Sequence, residues 1–154
     1  MTTSGYILGM RFKSAYEMLD LVQVACDHLT RLGGLDEDGS HWVGVAVRES
    51  VINAIKHGNR HDVAKDVSVE FALVPNGQPV ELVVVVSDEG EGFEAGEVAD
   101  PLAPENILRS SGRGIFFMRS FMDSVELQRR PEGGMQVCMR KRLPSVPAAF
   151  ARPA

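Results

Sequence analysis

Apolar side chains crowd the middle of the chain at helical spacing. Between Ser40 and Gly58, the residues Val43, Val47, Val51, Ala54 and Ile55 line one side of a predicted helix, and Trp42, Val45, Ala46 and Ile52 flank the other. What remains polar is a narrow stripe: at ~100° per residue, Glu49, Asn53 and Lys56 share an arc of roughly 60°. A helix that is apolar almost all round is normally buried. Buried carboxylate, amide and ammonium groups without partners cost several kcal/mol each. The three groups therefore either satisfy one another along the helix or face a ligand.

The same kind of pattern places the other elements. Tyr6 to Phe12 alternates loosely and reads as an edge strand. Ser14, with Glu17 three residues on, forms a capping-box pattern for a helix carrying Met18, Leu19, Val22, Ala25, Cys26, Leu29 and Leu32. Gly33-Gly34 ends it, and Leu35 to Gly39 reads as a turn before the central helix. Beyond that helix, Asn59 to Asp66 is a polar loop. Val67 to Val74 alternates as a half-buried strand, Pro75 to Pro79 is a turn, and Glu81 to Ser87 is the next strand. Its run Leu82 to Val86 lacks alternation, which predicts a central strand covered on both faces. After Asp88 to Phe93 come a loop at 94–104, a short helical piece at 105–109 and an apolar helix, Ile115 to Met122. Strands Asp123 to Arg130 and Met135 to Arg142 are joined by the hairpin turn Pro131 to Gly134. From Leu143 on, the Pro/Ala-rich end reads as a loose tail, leaving residues 1–143 as one domain and 144–154 as the tail. Helices interleaved with hairpins predict an α+β, two-layer sandwich, with an antiparallel or mixed sheet carrying helices on one face.

Composition narrows the partners. The chain has 154 residues, 44% hydrophobic and 24% charged, with a formal net charge of -5. Acidity argues against nucleic-acid binding, which favours a basic stripe. Cys26 and Cys138 stand alone, outside any CxxC pair, and read as reduced packing residues of a cytoplasmic protein. No signal-peptide core is expected at the N-terminus, and the longest apolar run, Leu82 to Val86, is too short to span a membrane.

Three stretches carry candidate chemistry. In the first, Asn53 offers a neutral oxygen suited to Mg²⁺, which keeps several waters and takes few protein ligands. Lys56, about one turn on, can reach a phosphate, and Glu49 can act as a general base on an attacking hydroxyl or water. In the second, Asp88-Glu-Gly90-Glu-Gly92, a carboxylate at the edge of the core can accept from an exocyclic amine such as that of adenine, and the glycines allow close backbone approach. The third, Gly112-Arg113-Gly114, opens a helix, where free N–H groups and the macrodipole favour anions. Each also has a plain structural reading: intrahelical pairing, an ordinary Asp-Gly turn, and a flexible helix entry capped by Ser110 or Ser111.

Taken in order, a Glu/Asn helix, a strand ending in Asp88-x-Gly90-x-Gly92-Phe93, a lid-like loop and a Gly112-x-Gly114 helix resemble the GHKL (Bergerat-fold) ATPases, from about Ser14 to Leu143. Within that superfamily, ESVINAIKHG (49–58) and PENILRSSGRGIFFMRSFMDSVE (104–126) resemble the bacterial anti-sigma factor serine kinases, regulators of stress response and sporulation. The resemblance implies a two-layer α/β sandwich holding ATP under a mobile lid at 94–111. It implies Glu49 as catalytic base, Asn53 as Mg²⁺ ligand, Asp88 on adenine with Gly90 and Gly92 shaping the pocket, and Gly112, Arg113, Gly114 and the adjoining Ile115 at the phosphates. Lys56 matches a phosphate-contacting position of the related histidine kinases. His57 is typical of the anti-sigma group and goes with the nucleotide set, a packed hydrogen-bonded histidine being its alternative. Implied partners are a sigma factor and a small, STAS-type anti-sigma antagonist that is phosphorylated on serine or threonine. Members of the group often dimerise, and Phe116, Phe117 and Phe121 would serve equally as core or as homodimer interface. Two other readings stand beside the kinase. One is a non-catalytic ATP-binding module that sequesters a partner. The other is a detached histidine-kinase ATPase domain, disfavoured because the chain has no dimerising hairpin with a phosphoacceptor histidine; His28 is a lone helical histidine.

Overall fold

Residues 6–75, 80–90 and 112–145 are described by the computed structural model. Strand β1 (Tyr6–Lys13) and a 3-10 turn (Tyr16–Met18) lead into helices α1 (Leu19–Leu32) and α2 (Glu37–Asn53). Strands β2 (Asp66–Pro75) and β3 (Val80–Ser87) follow, then helix α3 (Gly112–Phe121) and strands β4 (Ser124–Arg129) and β5 (Met135–Leu143). The five strands form one sheet in the order β1-β2-β3-β5-β4, with every neighbouring pair antiparallel. Of the two sheet types anticipated, the described strands adopt the antiparallel one.

The period-2 pattern decides which face is buried. Val67, Val69, Phe71 and Leu73 of β2 and Leu82, Val84 and Val86 of β3 share a core with Val22, Cys26 and Leu29 of α1, Val43, Val47 and Val51 of α2, and Met118 of α3. The helices thus lie on one face, and β3 is the middle strand, as its unbroken apolar run required. Val83 points to the other face beside Ala72 and Arg140 in register and is buried there as well. Cys26 is a packing residue: burial pushes its thiol up to about 12, and both cysteines are free.

Two local expectations are corrected. Ser14 does not cap α1. Its hydroxyl donates to the Lys65 carbonyl at 2.7 Å, and a 3-10 turn without a side-chain cap precedes the helix. Helix α2 starts at Glu37 rather than Ser40, because the Asp36 carboxylate caps it by accepting from the Gly39 amide at 2.7 Å, with Glu37 and Asp38 adding negative charge at the positive helix end. Ser40 is buried instead, bonded to Thr30 Oγ1 at 2.9 Å. Leu143, the last residue of the expected domain, is 2% exposed in the core, and just beyond it the Ser145 amide donates to the Gly33 carbonyl at 3.0 Å. Helix α3 begins at Gly112, where the glycine-arginine-glycine stretch was expected to open it, three residues before the apolar run. The hairpin at Gly133 and Gly134 holds, both with positive φ. The turn at 76–79, the loop and short helix at 91–111 and the tail beyond 145 lie outside the described residues.

Two stability outcomes follow from the core. Among the described residues the buried Ser50 hydroxyl has no hydrogen-bond partner, so Ser50→Ala should raise unfolding stability by about 1–2 kcal/mol, removing a desolvation cost and adding helix propensity. Leu143→Ala should lower it by about 2–5 kcal/mol. Equilibrium denaturation in urea measures both.

Candidate functional site

Helix α2 does not end as a plain α-helix. After Asn53 it widens into a π turn, Ala54–Gly58, closed by the Asn59 amide donating to the Ala54 carbonyl at 2.8 Å. The chain then reverses through Arg60 and His61, both at positive φ. The His61 amide returns to the Ile55 carbonyl at 2.8 Å, and the Tyr16 hydroxyl meets His61 Nε2 at 2.8 Å. π turns inside α-helices are frequent at functional sites. A wider turn rotates the chain less per residue, so Lys56 no longer shares the arc that a uniform helix would give it with Glu49 and Asn53.

Glu49 and Asn53 stand one turn apart on α2, half-buried. Among the described residues, neither they nor Lys56 are hydrogen-bonded or ion-paired to one another or to any other side chain. The mutual satisfaction that would make the trio a core network is not there. Lys56 is exposed on the π turn. Beside it, burial lowers the His57 pKa, and the charges of Lys56 and His61 lower it further, which favours a neutral ring. Among the described residues no cluster of three or more His, Cys, Asp or Glu side chains forms a metal cage.

Asp88 follows the last residue of β3 and is 5% exposed. Its amide extends the ladder to the Met135 carbonyl at 3.0 Å. Its Oδ1 accepts from the amides of Gly90 at 3.0 Å and Met135 at 3.1 Å. Burial holds this carboxyl above its usual range, although both amides and the charges of Arg130 and Lys65 oppose the shift. Arg130 Nη1 also donates to the Asp88 carbonyl at 2.6 Å. The backbone crowds in on three sides. A Cβ on Gly58 would strike the Asp88 carboxylate, one on Gly134 the Asp88 carbonyl, and one on Gly90 the Gly58 carbonyl. The end of α2 and the end of β3 are thus in direct contact, and only glycine permits it.

Helix α3 packs beside α2, with the Phe121 ring stacked on Trp42 at 4.6 Å and 17°. Phe121 therefore packs within the fold, while Phe116 is 50% exposed. From that contact, the 10 residues of α3 span about 15 Å, close to the length of helix between Trp42 and Asn53. Gly112, Arg113, Gly114 and Ile115 form the opening turn of α3; Gly92 and the anticipated lid lie outside the described residues. Sequence reasoning missed Gly58, Gly134, Arg130 and above all Asn59, which is 1% exposed. A glycine followed by asparagine reads as a helix end and a loop, and no periodic signal marks an asparagine that turns inward.

Residues 12–141 match the family described as histidine kinase-like ATPase domain. The chain is 36% identical over 105 residues to an anti-sigma F factor of Clostridium perfringens, covering 66% of this chain and 71% of the relative. It is 27% identical over 139 residues to the serine-protein kinase RsbW of Staphylococcus aureus, covering 86% and 84%. It is 26% identical over 149 residues to the RsbW of Bacillus velezensis, covering 93% and 89%. Because the matched span runs from β1 into β5 and takes in all the described helices, the chain belongs to the histidine kinase-like ATPase domain family.

Proposed function

We propose that the chain is an ATP-dependent protein serine/threonine kinase that acts as an anti-sigma factor, sequestering a sigma factor and phosphorylating a small antagonist of it. The observation that carries this reading is the Glu49–Asn53 pair, without side-chain partners among the described residues, on the helix whose end abuts Asp88. A structural network would have satisfied these groups; a nucleotide site needs them free. The relatives named anti-sigma F factor and serine-protein kinase RsbW supply the partner classes. Such partners, and ATP itself, are met in the cytoplasm; no helix among the described residues is long and apolar enough to cross a membrane.

In this reading the adenine amine donates to the Asp88 carboxylate, with Gly90 and Gly92 letting the backbone lie against the ring. The triphosphate runs from there to the N–H groups at Gly112–Ile115, where the helix dipole and Arg113 favour negative charge. Lys56 and His57 border the same path on the π turn. Asn53 would hold Mg²⁺ as a single neutral oxygen ligand, consistent with a cation that keeps its waters and shares phosphate oxygens. When bound, Mg²⁺ supplies charge neutralisation on the phosphates. Glu49 takes the proton of the antagonist's serine or threonine hydroxyl as that oxygen attacks the γ-phosphorus and the bond to the bridging oxygen of ADP breaks.

The test is transfer of label from γ-labelled Mg-ATP to the candidate antagonist. Glu49→Ala should cut the rate by about 10²–10⁴-fold while ATP still binds. Tight ATP binding by the wild type with no transfer to any antagonist would replace the kinase by the non-catalytic binding module. A second outcome concerns Asp88. A carboxyl raised in the folded state stabilises the fold at low pH and loses that contribution as pH rises through its folded value. At neutral pH its ionisation therefore weighs against folding. Asp88→Asn keeps an oxygen for the Gly90 and Met135 amides but presents an NH₂ to the adenine amine. It should lower ATP affinity by about tenfold or more and leave the unfolding temperature at pH 7 unchanged or raised. Calorimetric titration and thermal unfolding check the two halves.

A further inference from the structure

One buried polar side chain plays no part in the chemistry above. Asn59 closes the π turn, and its amide group is fully engaged away from the nucleotide path. Nδ2 donates to Ser14 Oγ at 2.8 Å and to the Asp66 carbonyl at 2.9 Å. Oδ1 accepts from the Glu89 amide at 2.8 Å. The partners stand after β1, at the start of β2 and one residue past Asp88, separated from Asn59 by 45, 7 and 30 positions. Ser14 passes the chain of bonds on to the Lys65 carbonyl at 2.7 Å.

An asparagine at a helix end ordinarily bonds to its own near neighbours. Asn59 instead ties three segments of the sheet layer to the end of α2. The job needs two donors and an acceptor on one short side chain, which an amide supplies and a carboxylate, hydroxyl or methyl group does not. The π turn makes the reach possible, since the extra residue in the turn brings Asn59 inward. The contacts within the Asp88 segment have a different effect. The Gly90 and Met135 amides orient the carboxylate about its own bonds. The Asn59–Glu89 bond sets where the whole segment stands against α2, with Gly58 touching the carboxylate.

We propose that Asn59 is a positioning residue for base recognition: through the Glu89 amide it fixes the depth of Asp88 relative to the Glu49–Asn53 face, and so decides how well the site distinguishes an adenine from a purine lacking the exocyclic amine. This rests on the reading of Asp88 as the adenine contact. Asn59 itself touches neither base nor phosphate.

The experiment compares affinities for ATP and for inosine triphosphate, which carries a keto oxygen in place of the amine. Both are titrated by calorimetry into wild type, Asp88→Asn, Asn59→Ala and Ser14→Ala, alongside thermal unfolding. Wild type should prefer ATP by about tenfold or more, and Asp88→Asn should lose most of that preference. Asn59→Ala should lose a comparable part of it. Ser14→Ala removes one bond of the same amide but leaves the Glu89 bond, so it should unfold at a lower temperature and keep the preference. An Asn59→Ala protein that is destabilised yet discriminates like wild type, while Asp88→Asn does not, overturns the proposal and makes Asn59 a structural joint only. A wild type without preference, unaffected by Asp88→Asn, overturns the adenine reading and the proposal with it. If Asn59→Ala does not fold, Asn59→Ser, too short to span Ser14 and the Glu89 amide together, carries the same comparison with the same two outcomes.

Discussion

The backbone of Gly58 rests directly on the carboxylate of Asp88, and the site depends on that contact. It joins the end of α2 to the end of β3, elements that belong to different layers of the sandwich. A side chain at Gly58, against the Asp88 carboxylate, or at Gly90, against the Gly58 carbonyl, would push the layers apart, and the polar face of α2 would lose its fixed relation to the buried acid. Proteins transmit such changes because their interiors are close-packed and deform little. A clash at Gly58 would therefore displace the site as a whole rather than one side chain.

Other bonds let the carboxylate survive that burial. Asp88 is nearly inaccessible, and desolvation works against its charge. Two backbone amides on Oδ1 offset part of that, as charge-assisted bonds do more strongly than neutral ones. Arg130 adds its positive charge while bonding to the Asp88 carbonyl. Among the described residues Oδ1 takes both amide bonds, so Oδ2, on the Gly58 side, keeps acceptor capacity. Glu49 and Asn53 show the same economy: polar groups on a largely apolar helix, without side-chain partners among the described residues. Leaving polar groups uncompensated lowers stability, and functional sites are where folds tolerate it.

Local patterns were sufficient for much of the architecture. Alternation in β2, the unbroken apolar run of β3 and the glycine hairpin between β4 and β5 each encode themselves within a few residues, and all stand as anticipated. So does the Glu49–Asn53 spacing, because one α-helical turn is a local relation. The failures share a cause. Ser14 carried a good capping pattern, yet its hydroxyl bonds to residues 51 and 45 positions away. Helix α2 starts ahead of Ser40 because the Asp36 carboxylate reaches a free amide, a relation that the apolar positions, which begin only later, do not reveal. Asn59 left no signal, since its role exists only once β1, β2 and the Asp88 segment have come together.

The π turn shows why the chain could not simply continue as an α-helix. Closing Asn59 onto Ala54 rather than Ile55 puts one more residue into the turn. Everything after Asn53 is then displaced along the helix surface, so that Gly58 meets Asp88 and Asn59 points between the strands. In a uniform helix the polar arc would have run on through Lys56, and the glycine would have come one position out of phase with the acid it must accommodate. The irregularity instead splits the arc. Glu49 and Asn53 stay half-buried on the regular part, and Lys56 swings out to solvent at the rim. The result is a cation at the rim with an amide and a carboxylate further in, which is the order the proposed nucleotide reading calls for, the flexible ammonium being free to move.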